Sequence, residues 1–286
     1  MRKTLSKQDT APGKWLKYFY HTRSGAVLLK LMTQRWVSKT AGAILDTKLS
    51  CGLIDGYIKR NNIDMTQFED EEYASFNAFF TRHIRPELRP VDHDPNAFIS
   101  PCDGKVSVYP ITEHNTFEIK GFTYTVASLL KSEAMAKRYE GGLCLVFRLA
   151  VDDYHRYIYV DDCISGREHF IKGKLHTVQN VALEARRVFT ENCRAWTTLH
   201  TENFGPVTQV EVGAMMVGRI ANNHRDKAVT VTRGTEKGRF EFGGSTIVLL
   251  VPKDKVALDE EFFTNTKNEL ETVVRCGERI GSKIEK

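Results

Sequence analysis

A chain of 286 residues with 41% hydrophobic and 27% charged side chains has ordinary globular composition and is long enough for one large domain or two small ones. No apolar run approaches the ~20 residues that cross a bilayer, and no signal-peptide pattern opens the chain. The expectation is an intracellular protein. The net charge of +5 is unevenly spread: residues 1–45 hold nine Lys or Arg against one acid, Asp9, which suits an anionic surface.

Six cysteines, Cys51, Cys102, Cys144, Cys163, Cys193 and Cys276, form no CxxC pair, so neither a disulfide framework nor a zinc ribbon is indicated. No zinc finger, RNA-binding sheet signature or basic heptad region accompanies the basic segment, which turns it away from nucleic acid and toward lipid. In chain order, residues 1–12 read as a loose start. From Lys14 to about Arg60 the spacing is helical, with Leu16, Phe19 and Tyr20 on one face and Leu28, Leu29, Leu31 and Met32 on another. Trp15, Tyr18 and Trp36 stand beside cations, as in helices that lie at a membrane surface. Ser75 starts a short helix over Phe76–Arg82.

Phe98 to Val108 reads as strand, turn and strand, with Asp103-Gly104 as turn chemistry. Strands follow at Thr116–Tyr124, Gly142–Ala150, Arg167–Ile171, Gly173–Val178, Ala195–Thr201, Val207–Ile220 and Val229–Arg233. Helices are expected over Ser128–Tyr139 and Val181–Thr190. Phe240 and Phe242 alternate with charged neighbours, and Ile247-Val248-Leu249-Leu250-Val251 has the content of a buried strand. Between them Gly243-Gly244 permits a kink, and Ser245 stands next to the carbonyl that precedes it. A helix from Glu260 to about Arg275 closes the chain, with Gly277 as its stop. Few crossover helices separate the strands, so the fold class is α+β: N-terminal amphipathic helices, a mostly antiparallel sheet and a C-terminal helix. The expected division is a helical, membrane-facing segment over 1–70 and a strand-rich domain over 71–286. No GxGxxG or GxxxxGK[ST] pattern offers a nucleotide site.

Several segments, in order and spacing, resemble the phosphatidylserine decarboxylase family, whose members make their own pyruvoyl cofactor. They are Ser75-Phe76-Asn77, Arg85-Pro86, Arg89-Pro90, Ser100-Pro101-Cys102-Asp103-Gly104, Asp153-Tyr154-His155-Arg156, Val212-Gly213-Ala214-Met215-Met216-Val217-Gly218 and Gly243-Gly244-Ser245-Thr246. The resemblance implies a proenzyme cut between Gly244 and Ser245 into a β chain, 1–244, and an α chain, 245–286. Ser245 would become the pyruvoyl group, which forms a Schiff base with phosphatidylserine and releases CO2, leaving phosphatidylethanolamine. No metal and no pyridoxal phosphate are needed.

The family's self-cleavage relay is Asp-His-Ser; Asp103 matches the aspartate and Ser245 the serine, while His155 matches the family's first histidine, assigned to decarboxylation, and not the relay histidine. The family often carries a second histidine, in the pattern Asp-Tyr-His-Arg-x-His, and here that position is Ile158. Either His155 serves both steps, or His176 or His224 approaches from elsewhere, or maturation fails. Arg82 and Arg156, with Arg85 and Arg89, are candidates for binding phosphate or carboxylate. The implied setting is peripheral, on the cytoplasmic face of an anionic membrane, and a homodimer stays open. The alternatives are a pyruvoyl decarboxylase of a related amine and a non-catalytic lipid-binding relative.

Overall fold

The computed structural model describes residues 1–6, 13–215, 219–243 and 245–285. Met216-Val217-Gly218 and Gly244, both named above, lie outside the described residues. The architecture is α+β, as the strand-rich sequence demands. Its main element is a ten-stranded antiparallel sheet. From one edge the order is Thr4–Leu5, Glu271–Val274, Gly104–Pro110, Leu143–Leu149, Ser245–Val251, Gly205–Val212, Arg194–Thr201, Cys163–Ser165 and Val229–Val231, with His169–Ile171 also paired to Arg194–Thr201. The Ser245–Val251 strand lies inside it, buried along its whole length, as its aliphatic run predicts. It pairs with Leu143–Leu149 in the register Ser245↔Leu149 and with Gly205–Val212 through Val210↔Val248.

A three-stranded sheet of Ile220–Asn222, Glu236–Phe240 and Arg156–Ile158 lies beside it. A buried polar network joins the two. The Lys237 ammonium donates to Glu211 at 2.7 Å and to Asn222, Asn222 donates to Glu211 and Glu168, and Tyr157 donates to Asn222. This network sets where Arg156–Ile158 runs, and His155 immediately precedes that strand.

The N-terminal segment is helical as expected: α1 (Lys14–His21), α2 (Arg23–Met32), α3 (Arg35–Leu45), a 3-10 turn (Lys48–Leu53) and α4 (Ile54–Asn61). The short α5 (Phe76–Phe80) starts at Ser75, whose side chain accepts the Ala78 amide. A second apolar cluster of Leu45, Phe76, Phe79 and Phe80 gathers Ile54, Tyr57, Ile58 and Phe242 around it, so the N-terminal helices pack on residues beyond position 70.

Five local expectations change. The Glu260 helix ends at Lys267, because Glu269 turns with φ 60° and the β-branched Thr272-Val273-Val274 joins the main sheet. Thr4–Leu5, read as part of a loose start, adds a strand against Glu271 and Thr272. Gly173–Val178 makes only a bridge at Lys174, since its amides and carbonyls go to Asn192 and to loops rather than to a ladder. The Ser128–Tyr139 and Val181–Thr190 helices are each broken into single turns, the first at Lys131, which takes the left-handed conformation.

Lys237 and Glu211 are almost wholly buried. Removing one charge strands the other, so Lys237→Met is expected to cost ~3–5 kcal/mol. Adding Glu211→Gln should recover part of that loss. Urea unfolding of the three proteins measures both.

Candidate active site

Ser245 is the first residue of its strand and its side chain is buried. Its partner across the ladder, Leu149, ends the neighbouring strand. There the chain reverses in a tight turn, with the Asp153 amide donating to the Ala150 carbonyl at 3.1 Å, and His155 comes back toward the start of the serine's strand. The Ser245 hydroxyl lies 3.3 Å from His155 Nδ1. The opposite nitrogen, Nε2, lies 2.8 Å from the Ala150 carbonyl oxygen. A carbonyl only accepts, so Nε2 carries the proton and Nδ1 presents a lone pair to the serine. The arrangement is a hydroxyl beside a base whose tautomer is set by a third group.

The segment leading to Ser245 is held on its near side. The Phe240 amide donates to the His155 carbonyl and the Glu241 amide to the Arg219 carbonyl. Phe242 stands edge-on to Phe76, Phe80 and Tyr57 at 5.1, 5.2 and 6.2 Å between ring centres. Such pairs contribute ~0.5–1.5 kcal/mol each beyond burial. Phe80 also covers the His155 ring at 4.3 Å. The Tyr57 hydroxyl donates to the Val151 carbonyl at 2.6 Å and so ties α4 to the reversing turn. Gly243 has φ 124°, a backbone state that side chains disfavour.

Asp103 faces elsewhere. Its carboxylate receives two hydrogen bonds from Arg89, at 2.7 and 2.6 Å, and one from the Cys276 amide at 2.8 Å. Among the described residues no hydrogen bond joins it to His155 or Ser245. Ile158 is buried in the main core and its amide bonds to the Pro101 carbonyl, two residues before Asp103. His176 meets Tyr20 at 3.1 Å and His224 meets Tyr159 at 3.2 Å, so neither hydrogen-bonds the serine.

A cavity of about 850 Å³ opens next to the serine, lined by Gly243, Leu149, Ala150, Asn180, Met215 and Phe242 among others. Its cations are Arg60, Lys105 and Arg148. Lys105 is paired with Asp153 and Arg148 with Glu271. Arg60 and Phe242 also line an apolar groove of about 440 Å³ between α3, the 3-10 turn and α4. Arg82 and Arg156 line neither. Arg82 is buried against the faces of Phe68 and Phe79, and burial lowers its pKa to about 10. Arg156 is taken up by Glu236 and the Thr81 carbonyl. Ala150, Lys105 and Arg60 belong to none of the sequence motifs that point to the site. A main-chain carbonyl has no residue signature. Asp153, two positions before His155, belongs to the Asp-Tyr-His-Arg motif, and its partners are set by the fold.

A profile of the phosphatidylserine decarboxylase family matches residues 76–282. The chain is 42% identical over 267 residues to phosphatidylserine decarboxylase proenzyme 2 of Clostridium acetobutylicum, covering 93% of this chain and 91% of that one. It is 39% identical to the phosphatidylserine decarboxylase proenzyme of Clostridium botulinum, over 99% and 97%. The proenzyme of Ruminiclostridium cellulolyticum is 37% identical over 98% and 94%.

Burial lowers the pKa of His155 from 6.5 to about 3; the Ala150 hydrogen bond opposes this, while Arg82 and Lys105 act with burial. In that window the unfolded chain binds a proton that the folded chain refuses. Stability is therefore greatest above pH 6.5 and is lost as pH falls toward 3. His176, lowered to about 4 mainly by burial, acts in the same direction. In a Ser245→Ala chain the urea midpoint should fall between about pH 7.5 and pH 5. Adding His155→Gln should make that fall shallower, and equal slopes would show that His155 is not a buried neutral group.

Proposed function

Because this chain belongs to the phosphatidylserine decarboxylase family, we propose that it is a proenzyme which cuts itself between Gly244 and Ser245 and then decarboxylates phosphatidylserine to phosphatidylethanolamine and CO2. One observation carries the first half: the Ser245 hydroxyl stands 3.3 Å from the lone-pair nitrogen of a buried histidine.

His155 Nδ1 takes the hydroxyl proton while the serine oxygen adds to the Gly244 carbonyl carbon. The C–N bond breaks, the freed amine is protonated, and the amide has become an ester. Loss of the Ser245 α-proton then breaks the bond between its β-carbon and the ester oxygen. The first 244 residues leave as a carboxylate and residue 245 as dehydroalanine. Water adds, ammonia departs and a ketone remains at the new amino terminus. This pyruvoyl ketone supplies an electrophile for the substrate amine and a sink for the electron pair left by CO2.

The surroundings suit that group. Ser245 pairs with Leu149, Thr246 after it joins the second ladder opposite Val212, and the cavity lined by Gly243 and Leu149 lies beside the serine. The severed ends would remain docked, because the 245–286 portion contributes Ser245–Val251, Glu271–Val274 and Arg279–Lys283 to sheets with the larger portion. Asp103 holds that assembly together across the cut and takes no part in the cleavage step. It joins Arg89, before the cut, to the Cys276 amide, after it. His155 remains beside the new terminus; its Nδ1 takes a proton from the substrate ammonium as the Schiff base forms and returns it to the substrate carbon once CO2 has left.

Arg60, at the border of the polar cavity and the apolar groove, is better placed than Arg82 or Arg156 for a phosphate between headgroup and acyl chains. Residues 1–70 form the membrane-facing part and 71–286 the catalytic part. Trp15, Val27, Leu28, Leu31, Trp36 and Ile44 are exposed on α1–α3, beside Lys14, Lys17, Arg23, Lys30, Arg35 and Lys39. No helix among the described residues is long and apolar enough to cross a membrane. These helices lie on the anionic cytoplasmic face, cations at headgroup level.

Intact-mass analysis should find two chains, 1–244 and 245–286, the second beginning with a pyruvoyl group. Ser245→Ala should give one chain. His155→Ala should mature at least ~100-fold more slowly, the loss expected for a missing general base, and Asp103→Asn should still mature. An uncut wild-type chain that binds lipid but releases no CO2 would favour the non-catalytic relative. For attachment, vesicles containing anionic lipid should sediment the full chain at low salt. Replacing Trp15, Leu28, Leu31 and Trp36 by Ser should abolish sedimentation without stopping self-cleavage.

A further inference from the structure

A further cavity of about 550 Å³ lies where the first turn of α3 meets the strands that carry Phe170 and Ala195. It shares no described lining residue with the cavity beside Ser245 or with the apolar groove. Arg35 and Lys39, one turn apart on α3, line it together with Arg219 and Arg225 from the strand-rich part, against one acid, Glu168. These cations are poorly answered. Arg35 lies over the Phe170 ring at 5.5 Å, and among the described residues no acid pairs with Arg35 or Lys39. Arg219 is mostly exposed and comes only within 3.8 Å of Glu241. Arg225 is fixed by the Ile220 and Asn222 carbonyls at 2.7 and 3.1 Å, with Glu168 4.0 Å away. Glu168 already accepts from Asn222 at 2.6 Å.

The start of α3 adds to the imbalance. Gln34 caps it without a side-chain hydrogen bond, and no acid stands in its first turn. The Arg35 and Trp36 amides have no acceptor among the described residues. Free amides at a helix start favour an anion, and here cations stand beside them.

We propose that this cavity is a second lipid site, which holds the phosphate of an anionic phospholipid whose headgroup carries no amine. The lipid source rests on the membrane-facing reading above, whereas the preference for an anion rests on the charges alone. Guanidinium and ammonium groups donate directly to phosphodiester oxygens. Trp36 and Phe170, 60% and 48% exposed, line the same cavity and offer apolar surface for the glycerol and the first methylenes of the acyl chains. A headgroup ammonium would instead stand among four cations, with the single acid already engaged. The site therefore discriminates against phosphatidylserine and, more strongly, against phosphatidylethanolamine. Such a site has a use in the proposed reaction. Decarboxylation turns an anionic lipid into a zwitterionic one, so general attraction to the surface fades where the protein works. An amine-free anionic lipid is not consumed and keeps the chain in place.

The test titrates the full chain with dihexanoyl phosphatidylglycerol below its micelle concentration. Dihexanoyl phosphatidylethanolamine, dihexanoyl phosphatidylcholine and inorganic phosphate serve as comparisons. Calorimetry gives the affinity and tryptophan emission the location. The glycerol lipid should bind and change an emission signal that is lost in Trp36→Phe. Lys39→Gln with Arg219→Gln should weaken binding ~10-fold or more, as expected when charged hydrogen-bond donors are removed. Arg60→Gln, in the other cavities, should leave it unchanged. Wild-type affinity in the double variant would overturn the proposal, as would equal affinity for the ethanolamine lipid. Both substituted side chains are exposed. Lys39→Arg with Arg219→Lys keeps their charges and should bind like wild type; loss of binding there would also overturn it. Phosphate binding as tightly as the glycerol lipid would overturn the lipid assignment in favour of a free-phosphate site. If the chain fails to sediment with anionic vesicles yet binds the short lipid through Trp36, the membrane reading fails and this site stands.

Discussion

The ladder between Ser245–Val251 and Leu143–Leu149 is the constraint on which everything else depends. Its register puts Ser245 opposite Leu149, so the serine begins its strand where the neighbouring strand ends. A slip of one residue would turn its side chain to the opposite face of the sheet. Seven consecutive paired residues, all buried on the serine's strand, make that slip costly. The same ladder, with the one on Gly205–Val212, would keep the two fragments together once the chain is broken. On the proposed reading, placement of the serine and tolerance of a broken backbone come from one set of hydrogen bonds.

Around that strand end the site is assembled from main chain as much as from side chains. The turn after Leu149 returns His155 within five residues of Ala150, and the Phe240 amide is fixed by the His155 carbonyl. A buried neutral imidazole against a carbonyl is a modest base. It needs to hold a proton only while the serine oxygen attacks, and it is close enough to do so. Protonated at rest it could accept nothing, so the low pKa imposed by burial suits the proposed step.

The aromatic cluster links this chemistry to the N-terminal helices. Phe242, two residues before Gly244, packs on Tyr57 of α4 and on Phe76 and Phe80 of α5, and Phe80 covers His155. Tyr57 also holds the Val151 carbonyl. The helices that expose Trp15 and Trp36 thus share a framework with those that brace the serine. On the proposed reading, lipid arriving between α3 and α4 meets Arg60 first and the reactive terminus next.

The composition, the helical N-terminal spacing and the buried aliphatic strand were all legible in the chain, and with them the α+β class and the place of Ser245 at the start of that strand. Those features are local, written in periodicities of 3.6 and 2 and in turn chemistry. Ile158 was legible as a departure but not its consequence: the apolar side chain joins the core, and Asp103 nearby pairs with Arg89 and the Cys276 amide. The shortened C-terminal helix was missed because Thr272-Val273-Val274 is a strand only where Gly104–Pro110 offers an open edge.

What the sequence determined by itself is which ionisable and nucleophilic groups the chain carries and where most of its strands and helices run, because those are properties of residue types and their spacing. What only the tertiary structure decided is which partner each reactive group meets. His155 finds a carbonyl rather than Asp103, Asp153 finds a peptide and Lys105, and Arg82 finds two aromatic faces rather than the cavity. Partnership depends on strand register and on turns that bring distant residues within 3 Å, and main-chain groups, which every residue carries alike, leave no mark in the order of side chains.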